Sequence, residues 1–285
     1  MIEIKQLLRE GSDDKYGLCR LQNIILNVMV YIDNLCTING IDYYIIGGTA
    51  LGAVRHGGFI PWDDDLDIAM TRNNYNRFVQ LCRSDQFDHK NFFFQEGTVD
   101  WTGYMSKVRL LGTYFEETVD DESIPKDKKG IFVDVFPLDN VPQCRLSQYW
   151  WYACGKLLVA YEQTTHKRYH AKGLAKKVAM CMAGCLKADW IRRYFERQVI
   201  RYNNRETEFI GGHSLVSRFR NTFTYKSLWG KAKRVRFETV SLLAPENIKE
   251  FLEFYFGDYM KLPPEESRRG HHLMNIDYGI YNDIK

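Results

Sequence analysis

Four carboxylates fall within five residues, Asp63, Asp64, Asp65 and Asp67, a short distance after a glycine turn, Gly47-Gly48-Thr49. Charges of one sign packed this closely repel, and a folded domain tolerates them only with a cation or solvent at hand. The apolar company of Trp62, Leu66, Ile68, Ala69 and Met70 argues against plain solvation. If Asp63 to Met70 is extended, side chains alternate, so Asp63, Asp65 and Asp67 share one face and Asp64, Leu66 and Ile68 the other. Same-face neighbours then stand about 7 Å apart, which lets Asp65 and Asp67 ligate one ion or bracket two. Mg²⁺, with Mn²⁺ as a substitute, suits such all-oxygen ligands and usually shares them with substrate phosphates. Gly47 and Gly48 allow backbone amides to approach an anion, and a helix from Ala50 would add its positive end. A phosphate turn beside a metal strand makes a phosphoryl-transfer site.

Rival patterns fit less well. An EF-hand loop starting at Asp63 needs Gly at its sixth place and Glu at its twelfth, where the chain has Ile68 and Asn74. A helical DDxxD arrangement using Asp63, Asp64 and Asp67 lacks a second acidic cluster downstream. A third acid source comes later, in the run Ile131 to Phe136, which is bounded by Gly130 and Pro137 and reads as a buried strand with Asp134 at its middle. A lone buried carboxylate is expensive unless paired or metal-bound, so Asp134 is a candidate metal ligand or general base; pairing with an Arg is the plainer account. Asp139, beyond the proline, reads as a turn residue. On a strand over Tyr104 to Leu110, Lys107 and Arg109 share a face, placed either to meet donor phosphates or as charges of an edge strand. Arg55 could clamp a diphosphate. His56, Arg268, Arg269 and the pair His271-His272 are further polar candidates.

The elements that position these groups follow from periodicity. Leu21, Ile24, Ile25, Val28 and Ile32 predict a helix over Leu18 to Asn39, ended by Gly40. A short helix is expected over Asn74 to Cys82, strands over Phe92 to Phe94 and Phe237 to Val240, a polar flexible loop over Glu116 to Lys129, and a helix from Pro245-Glu246-Asn247 to Gly257. The basic stretch 145–205 holds thirteen Lys or Arg against three acids, while the whole chain is only +3, and it reads as largely helical. A basic amphipathic helix can lie on an anionic membrane surface or merely be solvated. No nucleic-acid motif accompanies the charge, so nucleic-acid binding is not expected. With 285 residues and 45% hydrophobic content the chain can bury a substantial core. Residues 1–10 show no signal-peptide pattern and no run of about 18 apolar residues stands out, so no bilayer span is expected. Seven scattered cysteines suggest free thiols in a reducing cytosol.

GGTALGAVRHGGFIPWDDDLDIAM and GIFVDVFPLD resemble the LicD family, whose animal relatives include fukutin and fukutin-related protein. The resemblance extends to Arg72…Tyr75…Phe78, to Lys107-Val108-Arg109 before Gly112-Thr113, to Phe237-Glu238 and to the tail FYFGDYMKLPPEESRRGHH. It implies an α+β fold: a nucleotidyltransferase-like core with a mixed β-sheet flanked by helices, here with a basic helical insertion. By position it assigns Gly47 and Gly48 to the turn, Asp65 and Asp67 to the acid pair, and Asp134 to the third acid. The chain then divides into a catalytic core, 1–144, the basic helical segment, 145–205, and an α/β part, 206–285, that completes the catalytic domain. The implied reaction moves phosphocholine, or ribitol or glycerol phosphate, from CDP-choline or another CDP-polyol donor to a hydroxyl of a glycan or its lipid-linked precursor, with CMP leaving. Asp65, Asp67 and Asp134 are the expected catalytic residues, and with Asp63 they form the Mg²⁺ ligands. Gly47, Gly48, Thr49, Arg55, Lys107 and Arg109 are expected on the substrate. A lipid-linked acceptor favours a cytoplasmic protein held peripherally at the inner membrane face through 145–205. Two other functions use the same features: a nucleotidyltransferase that releases pyrophosphate, and a non-catalytic glycan- or lipid-binding module.

Overall fold

The computed structural model describes residues 2–10, 14–97, 105–117, 124–165, 187–212, 219–268, 270 and 275–282. The expected N-terminal helix is α1 (Cys19–Ile38), which stops at Asn39 before Gly40 with φ +58°. Leu21, Ile24, Ile25, Val28 and Ile32 are all buried in the main core. By length and composition α1 could cross a bilayer, contrary to the expectation that no segment could, yet 67% of its apolar window is buried inside the fold. It is the core helix against which the sheet is laid. Asn23 and Asn27 accept backbone N–H bonds from Leu7 and Lys5, tying the N-terminal segment to it.

The main sheet runs β1 (Tyr44–Ile45), β2 (Asp67–Thr71), β6 (Phe132–Val141), β4 (Ser106–Leu110), β3 (Phe92–Gln95), and β7 (Phe209–Gly211) joins β6 and then β8 (Phe223–Tyr225). It is mixed: β2 and β6 are parallel and the other pairs antiparallel. Helices α2 (Gly47–Arg55) and α3 (Arg72–Cys82) flank β2 in sequence, with Thr71 capping α3 through the Asn74 N–H. A separate pair joins β5 (Tyr114–Phe115) to β11 (Ile276–Asp277), and a hairpin is formed by β9 (Lys233–Phe237) and β10 (Val240–Ala244). The short helix α6 (Lys226–Trp229) and the expected helix α7 (Ile248–Phe256), closed by Gly257, complete the C-terminal part.

β6 is longer than predicted and runs straight through Pro137. On one flank its antiparallel partners change, with β4 opposite Phe132 to Val135 and β7 opposite Asp139 to Val141. Pro137, which has no N–H to give, falls in the gap between them. The strand expected at Phe237 to Val240 is instead the turn of the β9–β10 hairpin, with Glu238 at φ +53°. In the basic segment, α4 (Arg145–Thr165) packs with α5 (Asp189–Ile200) over a small second core of Val141, Trp151, Cys154, Leu158, Val199 and Phe223. Residues 166–186, which include Cys181 and Cys185, lie outside the described residues. Of the other thiols, Cys36, Cys82 and Cys154 are buried, Cys19 is half-buried and Cys144 is exposed.

Candidate active site

Asp67 of the acid pair and the third acid, Asp134, meet across the parallel junction of the sheet. Asp67, the first residue of β2, is the register partner of Asp134 on β6. Neighbouring strands lie about 4.8 Å apart, so the two backbones hold these carboxylates together without help from any loop. Asp63 to Leu66 is not the start of the strand, as alternation predicted, but an irregular approach to it. The consequence is a different acid group: one oxygen each from Asp63, Asp64 and Asp65 lies within 4.8 Å of the others. Asp64, expected on the opposite face from its neighbours, therefore joins them.

Two glycines make room for this. Gly47 opens α2 at φ +56°, and a Cβ there would meet Asp67 Oδ2 at 3.3 Å. At Gly48 a Cβ would stand 2.5 Å from Asp63 Oδ2. The helix begins at Gly47, earlier than expected, and no side chain caps its N-terminus. Its first amides are thus orphan donors beside the acids, with the positive end of the helix dipole behind them. Thr49 uses its hydroxyl within the protein, accepting the Asp67 N–H at 2.9 Å. That bond ties the backbone of Asp67 to the helix start and leaves the Thr49 O–H to donate.

The electrostatics are those of a site built for positive charge. Asp67 is pushed well above the usual carboxylate range by burial, then by Asp65, Asp134 and Asp63, with Lys107 the opposing influence. Asp63 is raised to about 8 by burial and by Asp65 and Asp64, against a pull from Arg55. Asp134 Oδ1 lies 2.8 Å from Lys107 Nζ but makes no well-oriented hydrogen bond. Crowded, desolvated carboxylates, opposed among the described residues by Lys107 and Arg55, fit a hard divalent cation with oxygen ligands.

The basic candidates separate. Lys107 is the register partner of Asp134, is 2% exposed, and binds both Asp134 and Glu117 (2.9 Å). Arg109 was expected on donor phosphate, and the structure places it elsewhere. It is 1% exposed, with its guanidinium held by Gln95 Oε1 at 2.6 Å, by the Gly130 carbonyl and by Glu117. β4 is also an interior strand, so neither residue is a surface charge on an edge. Arg55 does face open space, lining a cavity with Gly48, Trp62 and Asp63 while donating to the Tyr259 carbonyl. His56 is lowered to about 4 by burial and by Arg55 and Arg9, and it packs edge-on against Trp62. Arg268 stacks on Trp62, while Arg269, His271 and His272 lie outside the described residues.

Four supporting residues escaped the sequence reading. Gln22 on α1 donates to the carbonyls of Ile60 and Asp63, holding the acid loop; its signal was a polar residue on an apolar helix face. Glu117, in what reads as a plain polar loop, is the shared counter-ion of Lys107 and Arg109. Glu238 accepts the Phe59 N–H and both the backbone and side chain of Arg9, clamping the turn after α2. Asp139 is no turn residue: it is fully buried in β6, with Arg72 bidentate at 2.8 and 2.9 Å and Asn203 donating at 2.7 Å.

A glycine-opened helix and a parallel strand pair bring the acids together, and residues 40–166 match the family model for the LicD/FKTN/FKRP nucleotidyltransferase domain. Asp63, Asp64, Asp65, Asp67 and Asp134 all fall within that match. Residues 40–166 thus carry a LicD-type domain. The chain is similar to the lipopolysaccharide cholinephosphotransferase LicD of Haemophilus influenzae, 28% identical over 273 residues that cover 91% of this chain and 97% of that protein. It is also similar to the ribitol 5-phosphate transferase FKRP of Mus musculus and of Homo sapiens. Each is 37% identical over 85 residues, 30% of this chain and 15% of theirs.

Proposed function

We propose that this protein is a Mg²⁺-dependent transferase that moves phosphocholine, or a polyol phosphate, from a CDP-activated donor to a hydroxyl of a glycan or its lipid-linked precursor. The observation that carries this is the Asp67–Asp134 register match beside the open N-terminus of α2. The names of the similar proteins, a cholinephosphotransferase and a ribitol 5-phosphate transferase, support the class of group moved.

A divalent cation held by Asp63, Asp65, Asp67 and Asp134 would neutralise the donor diphosphate. The α2 amides and Arg55 bind the phosphates from the side of the Trp62 cavity. Asp134, steadied by Lys107, orients the acceptor hydroxyl and takes its proton as the oxygen attacks phosphorus in line. The new O–P bond forms as the bond to CMP breaks, and the charge on the departing CMP is met by Arg55 and the helix end. Positioning and charge stabilisation supply most of the rate. The exposed side chains Leu146 (78%) and Trp190 (75%) on α4 and α5, among basic neighbours, fit a peripheral contact with an anionic inner membrane face, where a lipid-linked acceptor would lie.

The test supplies labelled CDP-choline, CDP-ribitol or CDP-glycerol with Mg²⁺ and a glycan acceptor. Acceptor-dependent CMP release, abolished by EDTA, is the expected result. Pyrophosphate release from CTP instead would make the protein a nucleotidyltransferase, and no nucleotide binding at all would make it a binding module.

A further inference from the structure

Two cavities reach the acid centre, and they differ in chemistry. The one at Gly48 and Asp63, about 530 Å³, carries Arg55 and Lys261 beside Trp62. The other, about 340 Å³, opens on Gly47 and Asp67 and is walled by Phe136, Trp229, Phe251, Tyr255 and Phe256. Its described lining includes no Lys, Arg or His, and its one charged side chain is Asp67. Phosphate or a nucleotide finds its cations in the first cavity and none in the second.

Five aromatic side chains with one carboxylate and no base make a surface that attracts cations. Ring faces carry negative π charge, and they hold a weakly hydrated quaternary ammonium well because little hydration is lost. The rings are braced before any ligand arrives. Trp229 stands edge-on to Tyr44 and Phe251, with centroids at 5.3 and 4.8 Å, and Phe251 lies 4.7 Å from Tyr255. A pre-formed wall spends little binding energy on ordering. The cavity also starts where the acids end, since Phe136 follows Asp134 by two positions on β6 and pairs with Ala69 on β2. In phosphocholine the nitrogen is separated from phosphorus by one oxygen and two carbons, a short spacer of the kind this proximity needs.

We infer that the aromatic cavity binds a quaternary ammonium head, so that the group transferred is phosphocholine rather than a polyol phosphate, an inference that rests on the transferase function proposed above. The competing ligand has its own handle on the same wall: Nε1 of Trp229 is buried without a hydrogen-bond partner among the described residues, and a polyol hydroxyl could accept from it.

The experiment uses the full chain with Mg²⁺ and compares CDP-choline, CDP-ribitol and CDP-glycerol, with tetramethylammonium as a competitor. Tyr255→Leu, Phe136→Leu and Tyr255→Phe are measured beside the unaltered protein. Expected are a preference for CDP-choline, competition by tetramethylammonium, and a KM for CDP-choline raised about tenfold in each leucine variant. Tyr255→Phe keeps the ring and should keep the KM. Competition in the unaltered protein needs no variant to fold, so it stands as a separate check. Equal or better use of a polyol donor, or no competition by tetramethylammonium, overturns the cavity assignment and leaves the transferase function standing. Failure to bind or turn over any CDP compound overturns both.

Discussion

β6 buries two aspartates, and their surroundings are opposite. Asp139 is matched: Arg72 grips both oxygens and Asn203 adds a third bond. Asp134 is outnumbered: it faces Asp67 across the sheet, and among the described residues its ion-pair partner is Lys107, itself shared with Glu117. A paired buried charge marks architecture, because its desolvation is already offset by the partner. Acids crowded against one another in a desolvated place mark a site whose missing charge arrives with the ligand. Residue type and strand are the same in both cases, and the neighbours alone decide.

The comparison can be broken most severely at the acid centre. Asp67→Asn should cut turnover on the order of 10³-fold, as loss of a central charge-stabilising group does, while the melting temperature holds or rises. A variant with near-normal kcat would end the role assigned to Asp67. Asp139→Ala should do the reverse, destabilising the fold by about 3–5 kcal/mol in denaturant titration by stranding Arg72, with kcat per folded molecule retained. Mg²⁺ separates the pair more finely. Added to the unaltered protein it should raise Tm by several degrees, an effect kept in Asp139→Asn and absent in Asp67→Asn.

pH gives a smaller effect with a definite sign. Burial opposes ionisation of Glu117, but Lys107 and Arg109 overcome it and hold the carboxyl at about 2, below its ordinary 4.5. A depressed acid adds stability that is complete above the ordinary value and is lost as pH falls from about 4.5 towards 2. Glu117→Gln should therefore flatten the fall of Tm across that window, a change of about 2–4 °C by calorimetry. Smallest should be the effect of Trp190→Ala on vesicle co-sedimentation. A severalfold weakening is expected with anionic vesicles and no change with neutral ones, and equal binding in both proteins would remove the membrane contact.

Much of the centre was legible because its signals are local. An acid run among apolar residues, a glycine turn and a lone Asp in a β-branched strand can each be read within a few residues, and α1 and α7 announce their ends at Gly40 and Gly257. What was missed depends on partners far away in the chain. Asp63 to Leu66 leaves the strand geometry because Gln22, some forty residues earlier, takes the Ile60 and Asp63 carbonyls. Lys107 and Arg109 read as phosphate binders because nothing local shows that Glu117 turns back onto them. Asp139 looked like a turn residue because Pro137 precedes it, whereas its real environment comes from Arg72 and Asn203.

Pro137 carries one further consequence. Were β4 to slide along β6 by two places, Lys107 would face Phe132 or Phe136 in place of Asp134, and the acid would lose its base. Sliding towards Phe136 would also push the growing ladder up to a residue with no hydrogen to offer, and beyond it to ground already occupied by β7. The imino ring thus serves as an end stop for assembly, helping the chain settle in the one alignment where its chemistry can work.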